Sequence, residues 1–555
     1  MSAPAMSIDR LAVEPAAAWF SERLCGTFAP AAPELHAPVA WCLHQWMQGH
    51  TCLDLERPVA GRSSEPGSFD MLEATVPEGW LGMLASHAAV ASAAPGSLHP
   101  VAAPLVLEGS KLFLARCRDQ EIEVAKALIA RGRADAVWSA TPQHRAAIEA
   151  FAAARGGDLH PAQLRAVQVG ATRRLAVISG GPGTGKTFVA ARIIEAVLET
   201  GPHAVLLLAP TGKAAARLQA SVRDALQRGV FTDRAAACLG ALQAQTVHAA
   251  TQRQGGDSLR RARLIVVDET SMVDLERMHA LLRLAHEQAS IVMLGDPHQL
   301  ASVEAGSVLG DLVAGAAQPS HPLASCMVHL EKSHRFPEEG GVARLAAAVN
   351  AGRADEAIEI LRDRPMGLHW EVVSSAQQVV RESIRALEAA GREARVLCGH
   401  RHGADGALRV NDAMERRLGH AARRGLYEGR PILITVNDDV TGLRNGDAGR
   451  ICRESGAWVA RFGEAVFPVE RLPSHETAYA MTIHKTQGSE YVQVVVALPA
   501  RPSPVLTREL LYTGITRTRE TVTLVASEAA LRAAIERPIV RHGGLRERLR
   551  AGSIR

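Results

Sequence analysis

A glycine-rich turn between an apolar strand and a helix is the feature that most constrains how this chain folds. In LAVISGGPGTGKT, an apolar run at residues 175–179 leads into Gly180-x-x-x-x-Gly185-Lys186-Thr187, and a helical run follows. Glycines allow the backbone N–H groups of such a turn to wrap phosphate oxygens, and the N-terminus of the next helix adds its dipole. The segment therefore predicts a P-loop and, with it, a nucleoside triphosphate site on a parallel sheet.

An acidic pair at the end of a second apolar strand fits the same site. The segment LIVVDETS ends its strand in Asp268 and Glu269. Two adjacent carboxylates at the end of a buried strand are costly unless they serve an ion. In a P-loop site, Lys186 holds the β and γ phosphates, while Thr187 and Asp268 hold Mg²⁺. Glu269 is then the candidate base that orients the attacking water.

Short apolar runs alternate with amphipathic stretches along most of the chain. They occur at residues 175–179, 204–210, 264–268 and 291–295, and again at residues 394–398, 492–498 and 521–525. Apolar strands separated by helices are typical of parallel sheets covered on both faces, so two such domains are predicted. Short strands at residues 431–436, 448–452, 458–462 and 465–469 are joined by turn residues. They predict a small β-barrel inserted at about residues 428–473.

Composition excludes several classes of protein. The 555 residues carry 62 basic and 58 acidic side chains, a formal net charge of +4, so any contact with nucleic acid must come from a local groove rather than a polycationic surface. A hydrophobic share of 47% excludes a mainly disordered chain. There is no membrane-length apolar run or secretion signal, which predicts a cytoplasmic protein without membrane contact. The eight cysteines are scattered, which predicts reduced thiols and neither a disulfide framework nor a zinc site.

Seven further segments occur in the order of the motifs of superfamily 1 helicases. They are APTGKAAARL (209–218), QTVHAA (245–250), DETSMVD (268–274), GDPHQLASVEAGSVLGDL (295–312), LEKSHRF (330–336), AMTIHKTQGSE (480–490) and LTRELLYTGITRTR (506–519). Their wording resembles the RecD helicase subunits, the alpha chains of exodeoxyribonuclease V, over about residues 160–525. GHTCLDL, PLVLEGSKLFLAR and VLCGHRHGADGALRVN extend the resemblance into the N-terminal region and the second motor domain.

The resemblance implies an α/β fold with two RecA-like P-loop motor domains, the β-barrel insertion in the second, and a mainly helical N-terminal domain that docks on a partner. The expected boundaries are residues 1–115, 116–335 and 336–555. The N-terminal region contains Trp19, Trp41, Trp46 and Trp80, four of the seven tryptophans. These aromatics fit a small core of their own as well as they fit a docking surface.

The resemblance also assigns roles around the phosphates. Gln299 resembles the glutamine that senses the γ phosphate, and Arg335 and Arg517 resemble arginine fingers supplied by the second domain. Glu490 resembles the acid that contacts the ribose. In SHRF, His334 replaces the tyrosine usual in this family, so adenine recognition is expected to depend more on Gln163.

Gln163 lies seventeen residues before the P-loop, and its amide can both donate to and accept from the adenine edge. Taken alone, this signal is weak, and a glutamine on the surface of a helix is the default interpretation. The expected catalytic residues are Lys186, Asp268, Glu269, Gln299, Arg335 and Arg517. The expected nucleotide contacts are Gln163, Gly180, Gly181, Pro182, Gly183, Thr184, Gly185, Lys186, Thr187, Phe188, His334 and Glu490. The expected DNA contacts, matched by the family motifs, are Thr211, Lys213, Thr246, His248, Thr482, His484 and Lys485. Small hydroxyls and single cations suit contacts to phosphates, which are independent of base sequence; buried structural histidines are the alternative for His248 and His484.

The function implied is ATP-dependent 5′ to 3′ movement on single-stranded DNA and at DNA ends. It would take place in a RecBCD-type heterotrimer with RecB-like and RecC-like chains that serves double-strand break repair and recombination, in the cytoplasm and at the nucleoid. Two alternatives remain open: a free-standing 5′ to 3′ helicase, and a regulatory ATP-binding subunit that does not unwind DNA. A nuclease centre is not expected in this chain. None of its six lysines has an acidic residue two positions earlier, as the D/E-x-K pattern of restriction-type nucleases requires.

Overall fold

The computed structural model describes residues 6–7, 11–29, 32–63, 71–139, 141–155, 157, 159–229, 231–240, 242–252, 255–337, 339–391, 393–420, 426–438, 440–503 and 505–552. Three sequential parts can be distinguished by their sheets. They are called here the N-terminal domain (residues 6–114), the first motor domain (115–335) and the second motor domain (336–540).

The N-terminal domain combines helices with two small sheets. Its elements are β1 (Met6–Ser7), β2 (Leu11–Ala12), α1 (Pro15–Phe28), α2 (His36–Met47), β3 (Leu53–Asp54), β4 (Val59–Ser63), β5 (Met71–Thr75), α3 (Trp80–Ser86), β6 (Val90–Ala93), β7 (Leu105–Glu108) and β8 (Lys111–Leu114). The strands form two four-stranded sheets, ordered β1-β5-β4-β2 and β3-β8-β7-β6. The prediction of a mainly helical domain is therefore wrong: strands of two to five residues are too short to show a clear period of two.

The aromatic residues of this domain divide between its core and its surface. Trp41 is buried among Leu35, Val39 and other apolar side chains of one cluster. Trp19 is 51% exposed and stacks edge-on with Phe20 on α1. Trp41 thus belongs to the core of this domain, whereas a docking role for the exposed tryptophans stays a prediction.

The first motor domain is a six-stranded parallel sheet flanked by helices. Its elements are α4 (Ala115–Gly132), α5 (Pro142–Arg155), α6 (Pro161–Thr172), β9 (Leu175–Gly180), α7 (Lys186–Glu199), β10 (Val205–Ala209), α8 (Gly212–Gln227), α9 (Asp233–Leu239), β11 (Ala244–Thr246), α10 (Val247–Thr251), α11 (Gly256–Arg261), β12 (Leu264–Val267), α12 (Leu275–Leu284), β13 (Ser290–Gly295), α13 (Val308–Gly315) and β14 (Met327–Leu330). The strand order is β11-β10-β12-β13-β9-β14. The strands β9, β12 and β13 are buried on both faces, as their continuous apolar sequences predict.

The second motor domain contains another parallel sheet and an antiparallel insertion. Its elements are α14 (Gly341–Asn350), α15 (Ala354–Arg362), β15 (Leu368–Val372), α16 (Ala376–Ala390), β16 (Arg395–Cys398), α17 (Ala407–Arg417), β17 (Pro431–Ile434), β18 (Ala448–Glu454), β19 (Ala457–Phe462), β20 (Ala465–Pro468), β21 (His475–Thr477), β22 (Ala480–Thr482), β23 (Tyr491–Ala497), α18 (Arg508–Ile515), β24 (Thr518–Ala526) and α19 (Glu528–Glu536). The parallel sheet has the order β15-β24-β23-β16-β22, and the antiparallel sheet has the order β20-β19-β18-β17-β21. Every strand predicted in the two parallel sheets and the insertion is confirmed, with ends shifted by a few residues.

The end of the chain returns to the first motor domain. Helix α20 (Leu545–Ala551) places Leu545 and Leu549 in the apolar cluster that covers one face of the first sheet. This packing differs from the expected assignment of residues 541–555 to the second motor domain. The reason is a contact between segments far apart in sequence, which leaves no local pattern.

Two further observations concern the described part of the chain as a whole. None of its helices combines the length and the apolar character needed to cross a bilayer. All eight cysteines are free thiols, and six of them are buried.

Candidate active site

The P-loop joins strand β9 to helix α7 in the conformation that its glycines permit. Gly183 and Gly185 have φ values of 76° and 85°, in the left-handed region that favours glycine. A Cβ atom at Gly183 would overlap the side chain of Arg335, and one at Gly185 would lie 2.7 Å from Nε2 of Gln163. Glycine at these positions therefore lets two other predicted site residues approach the loop.

A cleft of about 290 Å³ opens beside the P-loop, between the two motor domains. It brings together most of the predicted site residues: Pro182, Gly183, Thr184, Gly185, Lys186, Thr187, Phe188, Asp268, Glu269, Gln299, Arg335, Glu490 and Arg517. Gly180 and Gly181 contribute carbonyl oxygens, which accept hydrogen bonds of 2.6 and 2.9 Å from Nζ of Lys186. The predicted phosphate lysine is thus held above its own loop.

Gln163 and His334 lie behind the P-loop. Nε2 of Gln163 donates a 3.1 Å hydrogen bond to the carbonyl oxygen of Thr184, and the backbone N–H of His334 donates to the carbonyl oxygen of Gly183. The side-chain amide of Gln163 also lies 3.3 Å from Nε2 of His334. These two residues therefore meet each other at the edge of the site, as expected if both face the same base, but they do not line the cleft itself.

The acidic pair closes one wall of the cleft. Asp268 follows strand β12, and its Oδ1 accepts the N–H of Glu269 at 2.9 Å. Glu269 has a φ of 51°, a conformation that is uncommon outside glycine and is often found at functional sites. Burial, with the charge of Glu269, raises the pKa of Asp268 to about 6. A cation beside the two carboxylates would relieve this cost.

Gln299 is held from two sides. Its Nε2 donates to Oδ2 of the fully buried Asp296 at 3.1 Å, and its Oε1 accepts from Nη2 of Arg517 at 2.7 Å. The hydroxyl of Tyr512 donates to the same Oδ2 at 3.0 Å. Asp296 and Tyr512 were not among the predicted site residues, although both lie within segments of helicase type.

Four charged side chains meet at the opposite wall. Glu490 Oε1 pairs with Nη2 of Arg335 at 2.5 Å and with Nη2 of Arg217, and Oε2 lies 3.4 Å from Nε of Arg519. Burial alone would favour the neutral acid, but Arg217 and Arg335 lower the pKa of Glu490 to about 2. Arg217 comes from α8 of the first motor domain and was missed by sequence reasoning, although it lies within the quoted segment APTGKAAARL (209–218), which could have indicated it.

The predicted DNA contacts lie at the carboxyl ends of strands in both parallel sheets. Thr211 and Thr246 follow the neighbouring strands β10 and β11, and each hydroxyl accepts a backbone N–H as a helix N-cap, at 3.2 and 3.1 Å. Each O–H therefore remains available to donate. Thr482 ends strand β22, and His484 and Lys485 follow it in a short helical turn, with Nζ of Lys485 2.5 Å from Oε1 of Glu476.

Lys213 and the two histidines differ in their surroundings. Nζ of Lys213 donates to the carbonyl oxygen of Gly446, in the turn between β17 and β18 of the insertion, at 3.1 Å. Burial lowers the pKa of Lys213 to about 8. His248 and His484 are exposed, which disagrees with the alternative of buried structural histidines.

Comparison with known proteins identifies related families and chains. An AAA domain family matches residues 158–368, a UvrD-like helicase C-terminal domain matches residues 477–525, and the N-terminal domain of RecBCD enzyme subunit RecD matches residues 13–113. The RecBCD enzyme subunit RecD of Mycolicibacterium smegmatis is 36% identical over 577 residues, 98% of each chain. That of Mycobacterium tuberculosis is 38% identical over 426 residues, 70% of this chain and 73% of its own. A Bacteroides Pif1 structure with bound single-stranded DNA covers 63% of this chain and 88% of its own at 16% identity, with a TM-score of 0.39.

Two parallel motor sheets, a P-loop cleft and the matched helicase domains define the class, an ATP-dependent DNA helicase. Identity that extends over almost the whole chain is more specific. Within that class, the chain belongs to the RecD family of RecBCD enzyme subunits.

Proposed function

We propose that this chain hydrolyses ATP with Mg²⁺ and uses the energy to move 5′ to 3′ along single-stranded DNA, beside RecB-like and RecC-like chains in double-strand break repair and recombination. The observation that carries the proposal is the convergence of Lys186, the acidic pair and two arginines on one interdomain cleft. The match of residues 13–113 to the RecD N-terminal domain supports the heterotrimer over a free-standing helicase.

The residues of the cleft suit Mg²⁺. Among the described residues, no three His, Cys, Asp or Glu side chains gather as a metal group, so a cation must share its ligands with a substrate. Thr187 and Asp268 offer oxygen donors of the kind Mg²⁺ prefers, and the raised pKa of Asp268 marks a carboxylate in need of a counter-charge. When bound, the ion supplies charge neutralisation between the β and γ phosphates.

The protein groups divide the remaining work. Nζ of Lys186 exchanges the carbonyl oxygens of Gly180 and Gly181 for phosphate oxygens. Glu269 orients the attacking water and takes its proton. Arg335 and Arg517 offset the charge that develops on the transferred phosphoryl group. Gln299, which is hydrogen-bonded to Arg517, senses the γ phosphate and relays its presence to the residues that bind DNA.

The adenine and ribose contacts are proposed from the family motifs. Gln163 reads the adenine edge, His334 and Phe188 contact the base, and Glu490 contacts the ribose after it exchanges one of its arginine partners. The DNA track consists of Thr211, Lys213, Thr246, His248, Thr482, His484 and Lys485. The proposed domain ranges are 1–115, 116–335 and 336–540, because the segment after residue 540 packs on the first motor domain. The antiparallel insertion is proposed to close into a small barrel.

Hydrolysis of ATP by the purified full chain tests the proposal. We expect single-stranded DNA to stimulate hydrolysis, and Lys186→Gln to lower kcat at least about 100-fold, since it removes the phosphate-binding charge. Lys126→Gln, an exposed lysine on α4, is the matched control and keeps the wild-type rate. A hydrolysis rate that is unchanged in Lys186→Gln, or that single-stranded DNA does not raise, contradicts the proposal.

The absence of a D/E-x-K pattern supports a nuclease centre in another chain of the complex. Incubating the purified chain with linear DNA and Mg²⁺ tests this. Strand cleavage that persists in Lys186→Gln would show that a nuclease centre is present after all.

A further inference from the structure

The loop that carries Gln299 is in contact with two segments far from it in sequence, one around Gln48 and one around Arg541. This loop, residues 296–306, is called the sensor loop. Arg541 lies between α19 and α20, where the chain returns to the first motor domain. Its Nη1 donates to the carbonyl oxygen of Gln48, and its Nη2 donates to the carbonyl oxygen of Ser302 at 3.1 Å. One guanidinium therefore joins the N-terminal domain to the sensor loop.

A second contact joins the same two parts directly. The backbone N–H of Gly306, at the end of the sensor loop, donates to the carbonyl oxygen of Gly49 at 3.0 Å. Gly49 has a φ of 92°, and a Cβ atom there would overlap the guanidinium of Arg541. Glycine is thus required both by the backbone conformation and by the space that Arg541 occupies.

The sensor loop is also fixed from the side of the second motor domain. The N–H of Leu300 donates to Oγ1 of Thr513 at 3.0 Å, and Nε2 of Gln487 donates to the carbonyl oxygen of Leu300 at 3.0 Å. The Ser302 hydroxyl donates to the carbonyl oxygen of Gly306 at 2.9 Å within the loop. Leu300 is the neighbour of Gln299, so these contacts fix the backbone of the sensor loop directly beside the residue that carries the Gln299 side chain.

The segment that returns to the first motor domain, residues 541–552, is called the returning segment, and it is held by several hydrogen bonds and ion pairs. The N–H of Thr51 donates to the carbonyl oxygen of His542 at 2.9 Å, and the N–H of His542 donates to Nδ1 of His50 at 2.9 Å. Further along, the fully buried Arg548 pairs with Glu108 at 3.0 Å and with Glu121 at 3.1 Å. The returning segment is therefore held both to the N-terminal domain, through His50, Thr51 and Glu108, and to the first motor domain, through Glu121 and the apolar contacts of α20.

We propose that Arg541 is a positioning residue that sets the sensor loop, and through it Gln299, so that the hydrolysis rate depends on the position of the N-terminal domain. The inference rests on the proposed role of Gln299 in ATP hydrolysis. Arg541 does not line the nucleotide cleft. Its effect is consequently expected on the rate of hydrolysis and not on the binding of ATP.

The first test compares steady-state ATP hydrolysis by the full chain with saturating single-stranded DNA. We expect Arg541→Ala to lower kcat about 3- to 30-fold, the range for residues that couple two sites without touching either ligand, with KM for ATP within about twofold. Arg541→Lys keeps a donor and recovers part of the loss. Arg537→Ala is the matched control, because Arg537 is exposed and, among the residues that the structure describes, donates to the carbonyl oxygen of Ser503 and not to the sensor loop. Equal kcat for Arg541→Ala and Arg537→Ala overturns the inference.

A second variant approaches the contact from the N-terminal side. Gly49→Ala displaces the guanidinium without changing Arg541, and we expect its effect on kcat to overlap with that of Arg541→Ala, so that the double variant loses less than the product of the two single losses. Strictly multiplicative losses overturn the inference.

Amide hydrogen exchange separates failure of the inference from failure of the proposed function. If the wild-type chain shows no DNA-stimulated hydrolysis, the proposed function fails, and exchange at residues 299–306 then decides the inference. Faster exchange there in Arg541→Ala than in Arg537→Ala supports it, and equal exchange overturns it.

Discussion

Nη2 of Arg517 donates a 2.7 Å hydrogen bond to Oε1 of Gln299, and this bond crosses the cleft between the two motor domains. Arg517 lies just after α18 of the second motor domain, whereas Gln299 lies just after β13 of the first. The remaining donors of Arg517 reach the carbonyl oxygens of Thr513 and Ser489, at 3.2 and 3.3 Å. The arginine is thus fixed by its own domain and linked to the other through a single glutamine.

Arg517→Lys is expected to lower kcat for ATP hydrolysis about 1,000-fold, with the dissociation constant for ATP changed by no more than about threefold. Lysine keeps a charge but cannot reproduce the three directed hydrogen bonds of the guanidinium, and an arginine finger acts mainly on the transition state. Gln299→Ala is expected to lose about 100-fold, because Arg517 keeps its two carbonyl partners. Single-turnover hydrolysis with an equilibrium ATP titration measures both constants. A kcat within about threefold of wild type for Arg517→Lys would remove the arginine from the mechanism.

Arg217→Ala is expected to weaken ATP binding about 10-fold and to change thermal stability little. The Arg217 side chain is 44% exposed, so its ion pair with Glu490 contributes little to folding. Without it, the charge of Glu490 is less compensated in a cleft that must accept a polyanion. Arg223→Ala, an exposed arginine on the same helix, is the control. Unchanged ATP affinity in Arg217→Ala would mean that the pair serves only the contact between domains.

Lys213 predicts a pH-dependent affinity for single-stranded DNA. Burial lowers its pKa to about 8, and only the ammonium form can neutralise a phosphate. Affinity should therefore fall about 3- to 5-fold as pH rises from 7 through 9, the effect of losing one phosphate contact. Lys213→Met should abolish this dependence and reduce the slope of log affinity against log salt by about 0.7. An unchanged salt slope in Lys213→Met, measured by fluorescence anisotropy, would exclude Lys213 from the DNA track.

His50 predicts that stability decreases in mild acid. Burial, followed by the nearby charges of His542, Arg541 and His44, lowers the pKa of His50 from 6.5 to about 3. Between these values the unfolded chain binds a proton that the folded chain does not, so the free energy of unfolding falls as pH decreases below 6.5. At pH 5.5 the loss is about 1.4 kcal/mol. His50→Gln keeps an acceptor for the N–H of His542 but does not titrate. Denaturant unfolding measures the free energy of unfolding at pH 7.5 and at pH 5.5. The difference between the two pH values should be smaller in His50→Gln than in the wild type by that amount. An identical pH dependence would contradict this prediction.

The contiguous features of the fold could be predicted from the sequence. The P-loop is encoded within eight residues, and the strands β9, β12 and β13 are apolar throughout because both faces are covered. Arg517 reaches the cleft from the second motor domain, and its motif context alone pointed to it. Arg335 follows β14 of the first sheet, so the expectation that the second domain supplies it is wrong: the segment after β14 returns directly to Gly183 of the P-loop. Arg217 also lies within a quoted motif, at residues 209–218, but its meeting with Glu490 depends on how the two domains are docked.

Two other features of the molecule follow from long-range packing alone. The short strands of the N-terminal domain are stabilised by pairing, as in β7 between β6 and β8, and not by a pattern that is visible in each strand. Arg541 meets Gln48 across almost 500 residues of sequence. Such contacts are determined by tertiary structure and leave no local signal.

Unwinding of tailed duplexes tests the proposed motor most directly. The full chain, alone and assembled with its RecB-like and RecC-like partners, is mixed with duplexes that carry either a 5′ or a 3′ single-stranded tail, and Lys186→Gln is the inactive reference. Unwinding that survives Lys186→Gln in the assembled complex is attributed to the partner chains. We predict ATP-dependent unwinding of the 5′-tailed duplex that Lys186→Gln abolishes. Lys186-dependent unwinding of the 3′-tailed duplex alone, or the same 5′-tailed unwinding with Lys186→Gln in every assembly, would contradict a 5′ to 3′ motor in this chain.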